Sequence, residues 1–299
     1  MKSVPEPSAI VNALSVDVED YFQVQALSEA YTREDWERCE SRVERNTNAV
    51  LEIFAETGVK GTFFTLGWIA ERHPQVVRAI VAGGHEIASH GYCHFRVDSQ
   101  SPEDFRADIR RTKAILEDIG GMAVKGYRAA TFSVGDSTPW AWAVLEEEGY
   151  RYSSSIYPVK RDNYANPNAP RGVYRPAGTR NLIEIPIATV RIGAKNYPAG
   201  GGGYFRFLPY WASRAAIARI NRRDQAPAVF YLHPWEIDPG QPRAEGISAK
   251  SRFRHYLNLA KTGERLRRLT RDFRWGRMDQ IFLDGSSERA PTLTRHAAA

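Results

Sequence analysis

Strand-like and helix-like segments alternate along almost the whole chain, and this alternation restricts the possible folds more than any other feature. Runs rich in apolar, aromatic and β-branched residues at 13–16, 61–66 (GTFFTL), 86–89, 124–129, 152–156, 182–187, 190–192 and 228–232 read as strands. Helical stripes lie between them. Val43, Val50, Leu51 and Phe54 keep helical spacing up to a stop at Gly58, and residues 69–81 read as one helix ending at Gly83-Gly84. Ser101-Pro102 opens a helix, with Ser as N-cap and Pro at its first position, whose apolar stripe is Phe105, Ile109, Thr112, Leu116 and Ile119. Further helices are predicted from Thr138-Pro139 to Gly149, over 209–220 and over 250–277, with a last strand at 278–282. Strands joined through helices pair in parallel, so the fold class is α/β, with the sheet open or closed into a (β/α) barrel. No shift in composition marks a boundary. The chain reads as one domain over 1–285, including a basic C-terminal region from about 250, followed by a polar tail at 286–299.

Several classes drop out early. Two cysteines, Cys39 and Cys93, exclude a disulfide scaffold and any four-cysteine metal site. No stretch approaches the roughly 20 apolar residues that span a bilayer. Pro5, Glu6 and Asn12 interrupt what would have to be a signal peptide, and Asp17 ends its short apolar run. A soluble, cytoplasmic protein is expected. The net charge of +6 is unevenly placed. Residues 250–277 hold ten Lys/Arg against Glu264 and Asp272, so that segment carries +8 and the rest is near neutral. Such a stripe suits a solvated helix face or a peripheral contact with a membrane or anionic polymer. No nucleic-acid module accompanies it, so nucleic acid is not an expected partner.

In α/β sheets and barrels, sites gather at the carboxyl ends of strands. Four predicted strands end in chemically active residues: Asp17, Glu19 and Asp20; His90 and His94; Arg128; and His233, followed by Pro234-Trp235-Glu236. His90 and His94 share a face if the segment turns helically after its strand. Two imidazoles, a carboxylate and an open position are a common catalytic zinc set, and suit other first-row divalent metals. Asp17 and Glu19 share a face if the first strand continues that far, and one can bind metal while the other serves as general base. Two surface histidines and a solvated acidic turn fit the same spacings. His85, five residues before His90, reads as structural or as supporting a ligand from behind, and Cys93 as a buried or spectator thiol. The four-glycine run 200–203 lacks the following Lys-Ser/Thr of a phosphate loop; it reads as a flexible loop or one lining a substrate.

The stretches SVDVEDYFQV (15–24), GTFFTLGWIAERHP (61–74), GHEIASHGYCH (84–94), GYRAATFSV (126–134), GYRYSSSIYP (149–158), GGGGYFRFLPY (200–210) and VFYLHPWEIDPGQP (229–242) occur in order, and SRFRHYLNL (251–259) continues them. With these the chain resembles the polysaccharide deacetylases of carbohydrate esterase family 4, and more narrowly those encoded with bacterial exopolysaccharide and exosortase loci. The resemblance implies a distorted (β/α) barrel and a divalent metal, with zinc expected. It also implies removal of N-acetyl groups from amino sugars of a polysaccharide, an oligosaccharide or a lipid-linked precursor. By position, Asp17 corresponds to the base, Arg128 to the arginine orienting it, His90 and His94 to the metal histidines, and His233 to the general acid.

Two features depart from the family pattern. The family's adjacent aspartate pair is here Asp17, Glu19 and Asp20, and Glu19 is taken as third ligand with Asp20 as runner-up. The motif that normally supplies an acid beside the histidine reads Tyr152-Ser153-Ser154-Ser155, and Glu236 is a candidate for that place. Trp235 and Tyr204 are candidates for stacking on sugar rings or for the core. The rival readings are another metal-dependent amide hydrolase on this scaffold, with a small-molecule or formamido-sugar substrate, a non-catalytic sugar-binding protein, and a glycosidase pairing Asp17 with Glu236.

Overall fold

The computed structural model describes residues 10–160, 166–284 and 294–295. Its strands are β1 (Val11–Val18), β2 (Thr62–Thr65), β3 (Glu86–Ser89), β4 (Gly126–Tyr127), β5 (Tyr152–Ser153), β6 (Tyr174–Arg175), β7 (Ile183–Glu184), β8 (Thr189–Ile192), β9 (Lys195–Pro198), β10 (Val229–Leu232), β11 (Arg274–Gly276) and β12 (Thr294–Arg295). The helices are α1 (Val43–Thr57), α2 (Gly67–Arg72), α3 (Pro74–Ala82), α4 (Pro102–Gly120), α5 (Trp140–Glu147), α6 (Gly203–Phe207), α7 (Tyr210–Arg219), α8 (Ala249–Tyr256), α9 (Leu259–Asp272) and α10 (Met278–Phe282). Apart from β12, the polar tail 286–299 lies outside the described residues.

One sheet runs β10-β1-β2-β3-β4-β5-β7-β6-β12, and β11 pairs with the start of β1. Every pairing in it is parallel except β6 with β7. The sheet curls into a half-barrel, in keeping with the distorted barrel that the family resemblance implies. Side chains alternate along each strand, so one face of the curl is the interior and the other meets the helices. On β1, Leu14, Val16 and Val18 pack in the helix layer, whereas Ala13 packs inside with Phe64, Ala88, Tyr152 and Tyr231. Ser15 and Asp17 continue the Ala13 face. That period of two carries Asp17 into the barrel mouth.

Several element boundaries differ from expectation. The predicted helix 69–81 is two helices, because His73 precedes Pro74 and adopts an extended φ of −128° that no helix accommodates. Residues 278–282, expected as a strand, form α10: buried Met278 and Ile281 sit three apart, and the Met278 and Asp279 amides donate to Thr62 Oγ1 and the Glu86 carboxylate. The strand is Arg274–Gly276, beside β1. The basic stretch is α8 and α9, broken at Asn258, whose φ is 55°. The hairpin β8–β9 escaped notice because Lys195–Pro198 has no apolar alternation. Among the described residues no helix is long and apolar enough to cross a membrane.

Candidate active site

Parallel register sets the site. Val16 pairs with Leu232, and Ser89 with Tyr127, so Asp17 and His233, and likewise His90 and Arg128, leave the sheet side by side. An open cleft at these strand ends is lined by Asp17, Glu19, His90, His94, Thr131, Phe132, Tyr231, His233 and Trp235.

Arg128 is fully buried beneath the cleft. Its Nη1 donates to Asp17 Oδ1 at 2.5 Å and to Ser15 Oγ at 2.9 Å, Nη2 donates to Ser154 Oγ at 3.0 Å, and Nε to the Ser154 carbonyl at 3.1 Å. The guanidinium also lies 4.0 Å from the Phe64 ring centroid. A buried cation persists only when its donors are matched in this way. The serine run thus serves Arg128: Ser154 through both its oxygens, and Ser155 by accepting the Ala129 amide at 2.9 Å. Glu184 underlies the run, accepting the Ser155 and Ile156 amides at 2.8 and 2.9 Å.

Glu19, His90 and His94 each offer an atom within 4.8 Å of the others'. The helical turn expected between the histidines is absent. Gly91 and His94 have φ of 75° and 53°, and a tight left-handed loop brings the rings to a centroid distance of 5.2 Å. Arg33 steadies that loop by donating to the Cys93 and His94 carbonyls at 2.8 and 3.1 Å. His90 Nδ1 lies 2.8 Å from the Arg128 carbonyl, which can only accept, so Nδ1 carries the proton and Nε2 keeps its lone pair. Burial lowers the pKa of both histidines, His94 well below the usual range, and so holds them neutral.

Glu19 Oε2 is 3.2 Å from His94 Nε2, is buried, and has no hydrogen-bond partner among the described residues. Burial is the main cause that pushes the Glu19 carboxyl up to about 7; the neighbouring Asp17 charge adds to it and His233 opposes it. An orphaned buried carboxylate oxygen facing two neutral imidazoles is a donor set matched to a divalent cation. Asp20 turns away: Oδ2 accepts from Ser41 Oγ and the Arg42 and Val43 amides at 2.9, 2.6 and 3.1 Å, which fixes the start of α1.

His233 Nε2 is 3.4 Å from Glu19 Oε1 and 3.9 Å from Asp17 Oδ2. Its Nδ1 lies 2.7 Å from Glu236 Oε1, which also accepts the His233 amide at 3.0 Å. Burial alone would lower the His233 pKa; the Glu19 charge, the Glu236 hydrogen bond and the Asp17 charge outweigh it and push the value up to about 9. Burial alone would raise Glu236; Arg206 and His233 instead hold it down at about 2. Both Glu236 oxygens are therefore committed inside the protein, which removes the glycosidase pairing with Asp17.

The other candidates divide. His85 is structural, wedged against Phe54 and Phe63, with Nδ1 accepting the Gly61 amide at 3.1 Å. Cys39 and Cys93 are free, and burial pushes the Cys93 thiol up to about 11. Trp235 is buried between His233 and His255 and borders the cleft. Ser15, Ser154, Glu184 and Arg206 were not singled out in the sequence. Ser15 alone carried a signal there, sharing the inward period of Asp17. Thr131 was also missed: it has a left-handed φ of 55°, strained for a β-branched residue, and its buried Oγ1 has no partner among the described residues.

Residues 32–153 match the family model described as polysaccharide deacetylase, and residues 154–283 match a domain of unknown function, DUF3473. Residues 32–153 belong to the polysaccharide deacetylase family. Of the site, His90, His94 and Arg128 fall in the deacetylase match, whereas Arg206, His233 and Glu236 fall in the second region. A peptidoglycan-N-acetylglucosamine deacetylase of Bacillus cereus is 35% identical over 82 residues, 27% of this chain and 30% of that protein. A chitooligosaccharide deacetylase of a Bradyrhizobium species is 22% identical over 194 residues, 63% of this chain and 77% of that one. The first curated relatives are matched over only 30%, 31% and 39% of their own length. A crystal structure from Mycobacterium smegmatis assigned to the polysaccharide deacetylases shares the fold, with a TM-score of 0.63 and 22% identity over 99% of this chain and 96% of that one.

Proposed function

We propose that this deacetylase-family chain is a metal-dependent hydrolase that removes N-acetyl groups from amino sugars of a polysaccharide or its lipid-linked precursor. The observation that carries the reading is one strand-end cleft in which Arg128-bound Asp17 and Glu236-bound His233 flank the Glu19–His90–His94 cluster. Relatives named as peptidoglycan and chitooligosaccharide deacetylases support the substrate class.

Glu19 Oε2, His90 Nε2 and His94 Nε2 would hold a divalent cation, with zinc proposed because two imidazoles and a carboxylate suit it. When bound, that ion polarises the acetyl carbonyl and makes a water molecule acidic enough to attack near neutral pH. Asp17, held by Arg128, takes the proton of the attacking water. A C–O bond forms at the acetyl carbon, the C–N bond breaks, and the electron pair leaves on the sugar nitrogen. His233 donates its Nε2 proton to that nitrogen, since an unprotonated amide nitrogen is a very poor leaving group. The products are acetate and the free amino sugar. Thr131, whose Oγ1 has no hydrogen-bond partner among the described residues, is part of the cleft lining.

The exopolysaccharide role rests on the resemblance of the quoted stretches to deacetylases of such loci. A cytoplasmic location fits the two free thiols. A peripheral contact with a membrane or anionic polymer through 250–277 is supported by exposed Arg252, Lys261 and Arg271. It is narrowed by Arg265, which donates to the Phe205, Arg206 and Leu208 carbonyls, and by Arg267, which pairs with Glu56.

Mass spectrometry of N-acetylated oligosaccharides incubated with the protein, with and without chelator, tests the reading. Loss of an acetyl group, abolished by chelator and restored by zinc, is the expected result. No mass loss, or release of reducing ends instead, would overturn it.

A further inference from the structure

Directly behind His233, in the region matched only by the domain of unknown function, stands a buried ion pair. Arg206, on α6, is 3% exposed and Glu236 is 1% exposed. Arg206 Nε donates to Glu236 Oε2 at 2.6 Å. Arg206 Nη1 donates to the His255 carbonyl at 2.6 Å and the Leu257 carbonyl at 3.3 Å. The other Glu236 oxygen receives His233 Nδ1–H and the His233 amide. One face of the His233 ring is covered by Trp235, stacked at 5.2 Å and 20°, and Trp235 stacks on His255 at 4.2 Å and 12°.

The chain of contacts Arg206–Glu236–His233 therefore fixes three things about the imidazole. Its Nδ1 edge is bonded, its plane is set by the stack, and its orientation turns Nε2 toward Asp17 and Glu19. Glu236 can do this only while its own carboxylate is anchored. A planar guanidinium that binds a carboxylate and two carbonyls at once anchors it in direction as well as charge, which a point-charge ammonium does not.

We propose that Arg206 is a positioning residue of the active site. It anchors Glu236 so that His233 delivers its proton along one direction, and region 154–283 thereby completes an apparatus that also draws on Asp17 and Glu19 and on residues of 32–153. The proposal rests on the deacetylase reading given above.

The test uses the zinc-loaded full chain carrying Arg206→Lys, Arg206→Met, Glu236→Gln and the Arg206→Met/Glu236→Gln pair, assayed on an N-acetylated chitooligosaccharide and on an aryl acetate. The aryl leaving group needs no proton. We expect kcat on the amide to fall about 10- to 100-fold with KM nearly unchanged, as a misplaced proton donor predicts. The aryl ester should lose less than about 3-fold, bound metal should not change, and the double variant should be no worse than Glu236→Gln alone, because the two act as one unit. Equal losses on amide and ester, or multiplying losses in the double variant, would overturn the proposal. Should Arg206→Met fail to fold, Arg206→Lys and Glu236→Gln carry the test: an unchanged amide-to-ester ratio in either overturns it.

A readout independent of activity and metal is the His233 Nδ1 proton in 15N-histidine-labelled protein, assigned by its absence from His233→Ala. A protected downfield signal is expected in the parent chain and its loss in Arg206→Lys, with the other histidine signals intact. A signal unchanged in Arg206→Lys overturns the positioning role. If the parent chain does not deacetylate amino sugars, the proposed function fails, while this signal still decides the role of Arg206.

Discussion

Asp17 Oδ2 lies 3.9 Å from His233 Nε2; Asp17 is on β1 and His233 directly follows the neighbouring parallel strand β10, whose register pairs Val16 with Leu232. Each carboxylate or imidazole is held from behind on a separate tether, Asp17 by Arg128 and His233 by Glu236. The two side chains can thus face one cleft without collapsing onto each other.

Division of proton work predicts a leaving-group effect. His233→Ala should retain metal yet lose about 10²- to 10⁴-fold on the amide, the usual size of a general-acid contribution, and far less on an aryl acetate. Equal losses in the two assays would show that His233 is not the acid.

Metal affinity separates the two acids after β1. Elemental analysis should find zinc stripped by His90→Ala, His94→Ala and Glu19→Gln. Asp20→Asn should keep its zinc but melt lower, because buried amides at the start of α1 lose their acceptor at about 1–3 kcal/mol each. Zinc retained in Glu19→Gln and lost in Asp20→Asn would reverse the assignment.

The tether on His233 has a sign that titration can read. In metal-free protein the His233 imidazole should titrate near 9 by NMR, raised from 6.5. A raised histidine contributes stability that is fully present below pH 6.5 and lost as pH rises through about 9. Glu236, lowered from 4.5 to about 2, contributes stability present above pH 4.5 and lost as pH falls through about 2. Glu236→Gln removes the hydrogen-bonded anion, so the His233 midpoint should drop toward the direction that burial alone dictates. An unmoved midpoint would refute the coupling.

Arg128→Met should unsettle more than catalysis. It leaves Asp17 buried without its cation, at about 3–5 kcal/mol, and should lower the melting temperature while bound zinc persists.

Vesicle binding checks the basic face. Arg252, Lys261 and Arg271 replaced together by Gln should weaken association with anionic vesicles at low salt, with the difference fading as salt screens it. Unchanged binding would leave 250–277 as a solvated face.

Strand–helix alternation and the active residues just past strand ends were legible from the chain, because side-chain period and parallel pairing are local rules. Asp17, His90, His94, Arg128 and His233 could be picked out before any coordinates, and the structure brings four of them to one cleft with Arg128 buried beneath it. The breaks at His73-Pro74 and Asn258 were less so: one is a proline rule passed over, the other a left-handed residue that its sequence neighbours do not demand. The helix at Met278–Phe282 was missed because its amides are capped by Thr62 and Glu86, far away in sequence.

What the sequence determined by itself is therefore the α/β class and the strand-end location of the candidate residues Asp17, His90, His94, Arg128 and His233. What only the tertiary structure decided is which of the candidate partners each group meets and what anchors that partner in turn. Glu19 rather than Asp20 faces the histidines because Asp20 is spent on the α1 amides, and Glu236 supports His233 because Arg206 reaches it across 30 residues. Long-range hydrogen bonds of buried charges satisfy a requirement set by desolvation, and no local pattern in the chain records where such a charge finds its counterpart.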